Sequence, residues 1–410
     1  MKTYLVGGAV RDRLLAFPIR EYDWLVVGGT VEAMLAQGFR PVGKDFPVFL
    51  HPETNDEYAL ARTERKTAPG YKGFAVYAAA DVSLEEDLLR RDLTINAIAL
   101  DVEEDRIIDP YHGQADLDKR ILRHVSPAFS EDPVRILRVA RFAARYAHLG
   151  FSVAEETRQL MQNMVVQGEA NHLVPERVWA ELYKALQEVT PAAFFEVLRD
   201  CKALGVIFPE IDALFGVPQP EKYHPEIDTG VHTLMTLAQA AKLSAKVEVR
   251  LAALLHDLGK ALTPRQRWPS HHGHEQLGLP VLEQFCKRVR VPKNYKSLCL
   301  LVMQYHTHCH RSLELRADTL TDLLQAVFAY KYPERLEDFI LACEADARGR
   351  TGLEERSYAQ ADYLRQVAQA AIVIDAEPIL NSRLQGAEIG VAIRKLRIAA
   401  IERFKISIGK

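Results

Sequence analysis

Two short stretches near the start of this 410-residue chain carry residue types that can do chemistry together. Tyr4-Leu-Val-Gly7-Gly8-Ala-Val-Arg11-Asp12 ends an apolar run in a glycine pair, and Glu21-Tyr22-Asp23-Trp24 sets two acids one residue apart. Alternate residues of a strand share a face, so Glu21 and Asp23 are expected on one side, about 7 Å apart, with Tyr22 and Trp24 toward a core. Two such carboxylates can hold one or two Mg²⁺ ions. A bare glycine turn lets backbone N–H groups approach a phosphate, and Arg11 in the helix that follows adds a fixed positive charge. Each piece has an ordinary alternative, a plain turn or a solvated strand face. Together they point to nucleotidyl transfer.

Further phosphate chemistry follows. Leu88-Leu-Arg90-Arg91-Asp92-Leu-Thr94-Ile-Asn96 joins two arginines to three small polar groups, suited to gripping a triphosphate and a sugar hydroxyl, or to serving as a surface arginine pair with capping residues. In Ser130-Glu131-Asp132-Pro133-Val-Arg135-Ile-Leu-Arg138-Val-Ala-Arg141-Phe-Ala-Ala-Arg145, Asp132 and Pro133 suit a helix start. The arginines recur every three or four residues and form a stripe. Without anions to neutralise it, such a stripe is costly. Glu57 offers a third acid, or simply an edge-strand residue.

A second constellation lies downstream: His232, then Leu255-His256-Asp257-Leu-Gly259-Lys260, then His271-His272-Gly-His274, then His306-Thr307-His308. Histidines and an aspartate on separate helices can hold a divalent transition metal that activates water.

The elements that must position these groups are read from apolar periodicity and turn residues. The N-terminal motif requires strand, glycine turn, helix and strand. A short helix at Val31–Leu35 and strands at Phe46–Leu50 and Glu57–Ala61 follow, then a loop over Lys66–Phe74. From Phe142 to Phe215 the pattern is helical and carries no catalytic signal. The Pro-rich Gly216–Pro225 reads as a linker, and the segment from Asp318 is helical with a basic end at Arg394-Lys-Leu-Arg397. Length implies two to four domains. A net charge of −3 leaves nucleic-acid contacts to local basic patches. Five cysteines without CxxC spacing, no apolar run long enough for a membrane and no leader pattern imply a cytoplasmic protein.

Gly7-Gly8-x-x-Arg11, the acids at 21 and 23, Arg90-Arg91-Asp92-x-Thr94-x-Asn96 and Glu131-Asp132-x-x-Arg135, in this order, resemble the motifs of bacterial class II CCA-adding tRNA nucleotidyltransferases. With the His256-Asp257 module, the chain is similar to the multifunctional form of that family over essentially its whole length. The resemblance implies an α+β fold: a polymerase-β-like head at 1–140, an all-α neck and body at 141–222, an α-helical HD domain at 223–330 and a helical tail at 331–410. It implies addition of C, C and A to tRNA from CTP and ATP, by a monomer or a homodimer. Glu21 and Asp23 would bind Mg²⁺; Gly8, Arg11, Arg91, Arg138 and Arg141 would bind the nucleotide. The family usually has Asp where Glu21 stands. Cytosine and adenine both present an amino donor beside a ring-nitrogen acceptor, so Asp132 can accept from the first and Arg135 donate to the second, an arrangement that rejects U and G.

For the downstream module the resemblance implies Ni²⁺ or another transition metal on His232, His256, Asp257, His274 and His306. Its activity would be phosphohydrolysis of 2′,3′-cyclic phosphates, 2′-nucleotides and small phosphate esters. Thr307 stands where some relatives have a second acid, so a supporting module without catalysis is the alternative. The alternatives for the whole chain are a poly(A) polymerase of the same superfamily and an RNA- or nucleotide-binding regulator whose head has lost catalysis.

Overall fold

Leu5 and Val6 on Lys2–Val6 (β1), and Leu25 and Val26 on Asp23–Val27 (β2), are all buried. Neighbouring strand residues point to opposite faces, so both faces of this sheet are covered. Val6 and Leu25 pack with Leu84 and Leu88 on one side, whereas Val26 packs with Met34, Phe49 and Leu60 on the other. In this computed structural model, which describes the chain except Arg20, residues 43–47, 67–73 and 382–383, and Lys410, the chain forms two units, Met1–Ile207 and Phe208–Lys410.

The first unit inserts Gly8–Leu14 (α1) between β1 and β2 and continues through Val31–Ala36 (α2), Arg40–Val42 (β3), Val48–Leu50 (β4) and Glu57–Leu60 (β5). The Thr30 hydroxyl caps α2 by accepting from Ala33 N–H at 3.2 Å. Phe46 and Pro47 of the expected strand lie outside the described residues. Thr63–Lys66 (β6) and Phe74–Tyr77 (β7) pair as an antiparallel ribbon on either side of the expected loop; residues 67–73 of that loop lie outside the described residues. Leu84–Leu89 (α3) opens with a reciprocal Ser83–Glu86 capping box. Ala99–Asp101 (β8), Arg106–Ile108 (β9) and Gly113–Lys119 (α4) complete the sheet region. The sheet order is β3-β4-β5-β2-β1-β8-β9, antiparallel except for β2 and β5. Glu57 is therefore on an internal strand, in register with Asp23, and not on an edge.

Val134–Tyr146 (α5) buries Ile136, Leu137, Val139 and Ala140 and packs against Pro175–Gln187 (α7) and Ala192–Asp200 (α8), with Glu155–Val166 (α6) between α5 and α7 in the chain. Short helices Leu204–Ile207 (α9) and Pro209–Asp212 (α10) end the first unit and begin the second.

The second unit is helical: Thr229–Leu243 (α11), Val247–Leu255 (α12), His274–Val289 (α13), Lys293–His310 (α14), Ala317–Ala326 (α15), Pro333–Arg348 (α16), Ala359–Ile372 (α17), Glu377–Leu380 (α18) and Ala387–Ser407 (α19). Helix α12 is apolar almost all round, so it must be enclosed, and α11, α14 and α16 pack around it. The segment expected to be a linker is a built part of this unit. Gln219 is buried, and the Pro218 carbonyl accepts from His271 Nε2 at 2.7 Å. The basic residues Arg394 and Arg397, within α19, are engaged as well: Arg394 pairs with Asp322, and Arg397 lies 3.5 Å from the centre of the Tyr330 ring.

Candidate active sites

The turn after β1 is fixed by Gly7, whose φ of 67° and ψ of −125° form the mirror image of an extended conformation, open chiefly to glycine. Its N–H donates to Ile98 O at 3.1 Å, and a Cβ there would lie 2.7 Å from Arg91 Nη1. Gly7 thus allows Arg91 to sit against the turn. Gly8 begins α1, and one helical turn on, Arg11 is buried, its Nε and Nη2 both donating to Asp12 Oδ1 at 2.9 Å.

Asp23 starts β2, and Glu21 lies in the segment just before it; both line the same cavity. Tyr22, expected in a core, is 43% exposed, and Trp24 is half-buried, stacked on Tyr58. With Glu21 ahead of the strand, alternation does not hold Tyr22 inward. Burial raises the Asp23 pKa, and Glu21 raises it further, against the pull of Arg91 and Arg11. A carboxylate held in that state gains from a bound cation, so the residues present fit a metal.

The cavity is about 580 Å³, a size usual for ligand sites, and ten basic side chains line it against five acidic ones. It therefore suits a polyanion. The arginines of α5 are not, however, unbalanced. Arg138 Nε donates to Asp92 Oδ2 at 2.6 Å, Arg141 Nε to Glu181 Oε2 at 2.6 Å, and Arg145 to Asp12 Oδ2 at 3.1 Å. Burial opposes ionisation of Asp92, but Arg138 and the Asn96 amide outweigh it and hold this carboxyl far below the usual range. Of these arginines Arg138 keeps the most exposure, 36% of its side chain, and Arg141 only 10%.

Asp132 and Arg135 do not pair with each other. Arg177 of α7 grips Asp132 with two bonds, Nη1 to Oδ1 at 3.1 Å and Nη2 to Oδ2 at 2.7 Å. Asp132 Oδ1 also accepts from Val134 N–H at 3.1 Å, so the capping role is real. Arg135 is buried and donates to the carbonyls of Ala128 and Arg90, at 2.8 and 2.6 Å. Sequence reasoning missed Arg177, Glu181 and Lys184. Their i, i+4, i+7 spacing on α7 was the available signal, since it places one charged stripe on an otherwise apolar helix.

In the second unit, helix α12 ends at His256-Asp257. Gly259 is required here by closeness: a Cβ on it would fall 1.9 Å from His274 O, so only glycine lets α13 bring His274 against this turn. His232, His256, His274 and His306, all expected as ligands, are buried together with Asp257. Asp346 of α16, beyond the expected boundary at 330, completes the group; its Oδ1 lies 3.1 Å from His232 Nε2. Asp346 supplies the acid that Thr307 does not. Thr307 instead donates to Glu275 Oε1 at 2.9 Å. The signal for Asp346 was an acid on the apolar face of the Ala-rich α16, which sequence reasoning passed over.

Each of the four imidazoles holds Nδ1 on a backbone carbonyl: His232 on Gly349 at 2.9 Å, His256 on Ala253 at 2.7 Å, His274 on His271 at 3.0 Å and His306 on Val302 at 3.0 Å. A carbonyl can only accept, so Nδ1 carries a proton in each ring and Nε2 is the nitrogen that faces the carboxylates; burial opposes charge on His232 and His274, but Asp346 and Asp257 outweigh it and raise both above the usual histidine value. Glu226 also approaches His232 Nδ1, at 3.0 Å, and reinforces this orientation. Burial opposes ionisation of Asp257 and Asp346, but His256 with Lys260, and His310 with His256, outweigh it and hold both carboxyls well below the usual range. Burial pushes His306 well below the usual histidine value, toward neutrality. Neither Asp257 oxygen nor His256 Nε2 meets an aligned hydrogen bond among the described residues, although ion-pair contacts lie close. Imidazoles and carboxylates gathered in this way, as His232–His256–Asp346 and Asp257–His274–His306, are the donor set of a transition metal. A cavity of about 330 Å³, lined by Lys260, His310 and Arg350 among others, opens onto it.

Residues 3–123 match the family described as the Poly A polymerase head domain, residues 150–215 that of a probable RNA and SrmB-binding site of polymerase A, and residues 229–364 the HD domain. The chain is 62% identical over 409 residues to the Multifunctional CCA protein of Thioalkalivibrio sulfidiphilus, covering 100% of each. It is 62% identical to that of Methylococcus capsulatus, covering 99% of this chain and 95% of the relative. With that of Pseudomonas aeruginosa it shares 56% identity, covering 100% of each. Among solved structures, the Bacillus stearothermophilus CCA-adding enzyme in complex with CTP has the same fold, with a TM-score of 0.65 at 23% identity, covering 98% of this chain and 88% of that one. The Thermotoga maritima CCA-adding enzyme complexed with tRNA gives 0.63 at 19% identity, covering 99% and 91%. No helix among the described residues is long and apolar enough to cross a membrane.

Proposed function

Since the chain belongs to the family of multifunctional CCA proteins, we propose a division of work between its two sites. The arginine-lined cavity adds C, C and A to the 3′ end of tRNA from CTP and ATP, and the histidine centre hydrolyses phosphate esters. The chain is a nucleotidyltransferase. The observation that carries the first assignment is the meeting of Glu21 and Asp23 with a cluster of guanidinium groups in one cavity. A nucleoside triphosphate needs both: cation ligands at the reacting phosphorus and fixed positive charge along the leaving pyrophosphate.

Mg²⁺ held by Glu21 and Asp23 would lower the pKa of the attacking tRNA 3′-hydroxyl and offset the charge that develops on the leaving group. Glu21 is one methylene longer than the family's usual Asp, and its place ahead of β2 leaves it room to reach. Arg91 and Arg138 face the triphosphate; Arg11 and Arg141, buried and paired within the protein, chiefly stiffen the cavity wall. Asp132, held by Arg177, accepts from the exocyclic amino group of C or A. The guanidinium that stands beside it is that of Arg177, which favours Arg177 over Arg135 for the ring-nitrogen contact.

The histidine centre supports hydrolysis of 2′,3′-cyclic phosphates and small phosphate esters with Ni²⁺, Co²⁺ or Mn²⁺, since imidazole and carboxylate suit these ions. Lys260 and Arg350 at its mouth would bind the phosphate. We assign the head to 1–140 and the neck and body to 141–207, where the first unit ends, and extend the HD domain past 330 to include Asp346. Five free, buried cysteines fit the cytoplasm as the place of work.

The test uses a tRNA lacking its CCA end with labelled CTP and ATP. Addition that stops after three nucleotides is expected, and Asp23→Ala should lower the rate by at least ~10²-fold while tRNA still binds. An open-ended A tract would instead mean a poly(A) polymerase, and binding without turnover a regulator. In the same assay His256→Ala should leave CCA addition intact while abolishing hydrolysis of 2′,3′-cyclic phosphates.

A further inference from the structure

We propose that Asp87 is a positioning residue for nucleotide addition: its buried carboxylate holds the Arg91 guanidinium in the arginine-lined cavity, aimed at the triphosphate. The inference rests on reading that cavity as the nucleoside triphosphate site and adds the group that aims one of its arginines.

Asp87, in α3, is fully buried and does not itself line the cavity. A buried carboxylate is costly unless it is paired, and here its two oxygens serve different partners. Oδ1 accepts from Arg90 Nη2 at 2.6 Å and Nε at 3.1 Å, and from the Arg62 N–H at 3.3 Å. Oδ2 accepts from Arg91 Nη2 at 3.3 Å. Burial opposes ionisation of this carboxyl, but Arg90 and Arg91 outweigh it and lower its pKa, so both guanidinium groups face a full negative charge.

The two neighbouring arginines are thereby sorted. Arg90 spends Nε and Nη2 on Asp87, and its Nε also reaches the Arg62 carbonyl at 3.0 Å, which ties α3 to the chain between β5 and β6. Strand β5 carries Glu57 in register with Asp23. Arg91 is held more loosely, by Asp87 Oδ2 and Asn96 O, both at 3.3 Å. Its Nε is buried and meets no acceptor among the described residues, and its side chain, 19% exposed, lines the cavity. A guanidinium presents its donors in one rigid fork, so two anchoring bonds fix its direction and leave donors of the same fork for phosphate oxygens. An arginine of structural use alone spends them inside the protein, as Arg90 does. Holding the fold needs only the Oδ1 side, through Arg90 and the Arg62 peptide; the Oδ2 contact is what positioning adds. Without the carboxylate, guanidinium groups on adjacent residues would repel each other, and Arg91 would swing away from its place.

The experiment separates phosphate binding from base binding, without tRNA so that no transfer occurs. Full-length protein is titrated with CTP and with CMP in Mg²⁺ by calorimetry, as the parent, Asp87→Asn, Arg91→Ala and the double variant. Asp87→Asn should weaken CTP roughly tenfold or more and leave CMP unchanged. In the Arg91→Ala background the same substitution should have no further effect on CTP, because the group it aims is gone. Unchanged CTP affinity in Asp87→Asn, equal losses for CTP and CMP, or a CTP loss that persists undiminished after Arg91→Ala would overturn the proposal. Should Asp87→Asn not fold, Asp87→Leu with Arg90→Met, which removes both buried charges together, carries the same prediction. An Arg91→Ala protein that binds CTP as the parent does would instead remove the triphosphate reading of the cavity at this arginine, and the proposal with it.

Discussion

Gly7→Ala should damage the head in a way that Gly8→Ala does not, although the two residues are neighbours. Gly7 has φ of 67° and ψ of −125°, and an alanine held there is strained by about 1–3 kcal/mol. Its Cβ would also stand 2.7 Å from Arg91 Nη1 and would push that guanidinium off Asn96 O and Asp87, each now 3.3 Å away. Losing one charge-assisted bond adds roughly 1.5–3 kcal/mol. For a unit of this size each kcal/mol lowers Tm by roughly 2–4 °C, so the backbone strain alone lowers it by roughly 2–12 °C. Gly8 opens α1 without a positive φ, and the nearest atom to its added Cβ is Arg11 Nη2 at 3.4 Å. There alanine should be neutral or stabilising by up to about 1 kcal/mol. Thermal unfolding of the first unit followed by calorimetry, together with KM for CTP, reads both effects. Gly7→Ala should raise KM by roughly tenfold or more as Arg91 leaves the triphosphate. Equal Tm losses in the two variants, or a Gly7→Ala protein with unchanged Tm and KM, would refute this account of the turn.

Two further outcomes follow from the cavity's ion pairs. Arg177→Ala should weaken the preference for CTP over UTP by about 1–3 kcal/mol, because Asp132 loses its bidentate partner. If single-turnover competition shows that preference unchanged in Arg177→Ala but lost in Arg135→Ala, the donor role returns to Arg135. Asp92→Asn should cost roughly 2–3 kcal/mol at pH 7, less than a fully buried pair because Arg138 is partly exposed. The Asp92 carboxyl is depressed in the fold, so its contribution is complete above the unfolded value near 3.9 and fades as pH falls toward the folded one. Denaturant unfolding from pH 7 down to pH 3 should show the two proteins converging in acid; a constant gap would contradict the assignment.

The sequence by itself determined the chemistry that depends on residue type and short spacing. Gly7, Gly8, Arg11, Glu21 and Asp23 are legible as a glycine turn, a helix arginine and a carboxylate pair, because a strand, the helix after it and the next strand bring them together locally. His256-Asp257 is legible for the same reason, at the end of an apolar helix too hydrophobic to lie anywhere but inside. What tertiary structure decided was partnership across elements. Asp92 takes Arg138, Glu181 takes Arg141, and Arg177 takes Asp132, each from a different helix or turn. Nothing in the local spacing of α5 distinguishes an arginine meant for substrate from one neutralised 40 or more residues away. Asp346 shows the same limit from the other side. Alone in α16 it is one acid among several; only the packing of α16 against α11 and α12 places it at the Nε2 atoms of His232 and His256.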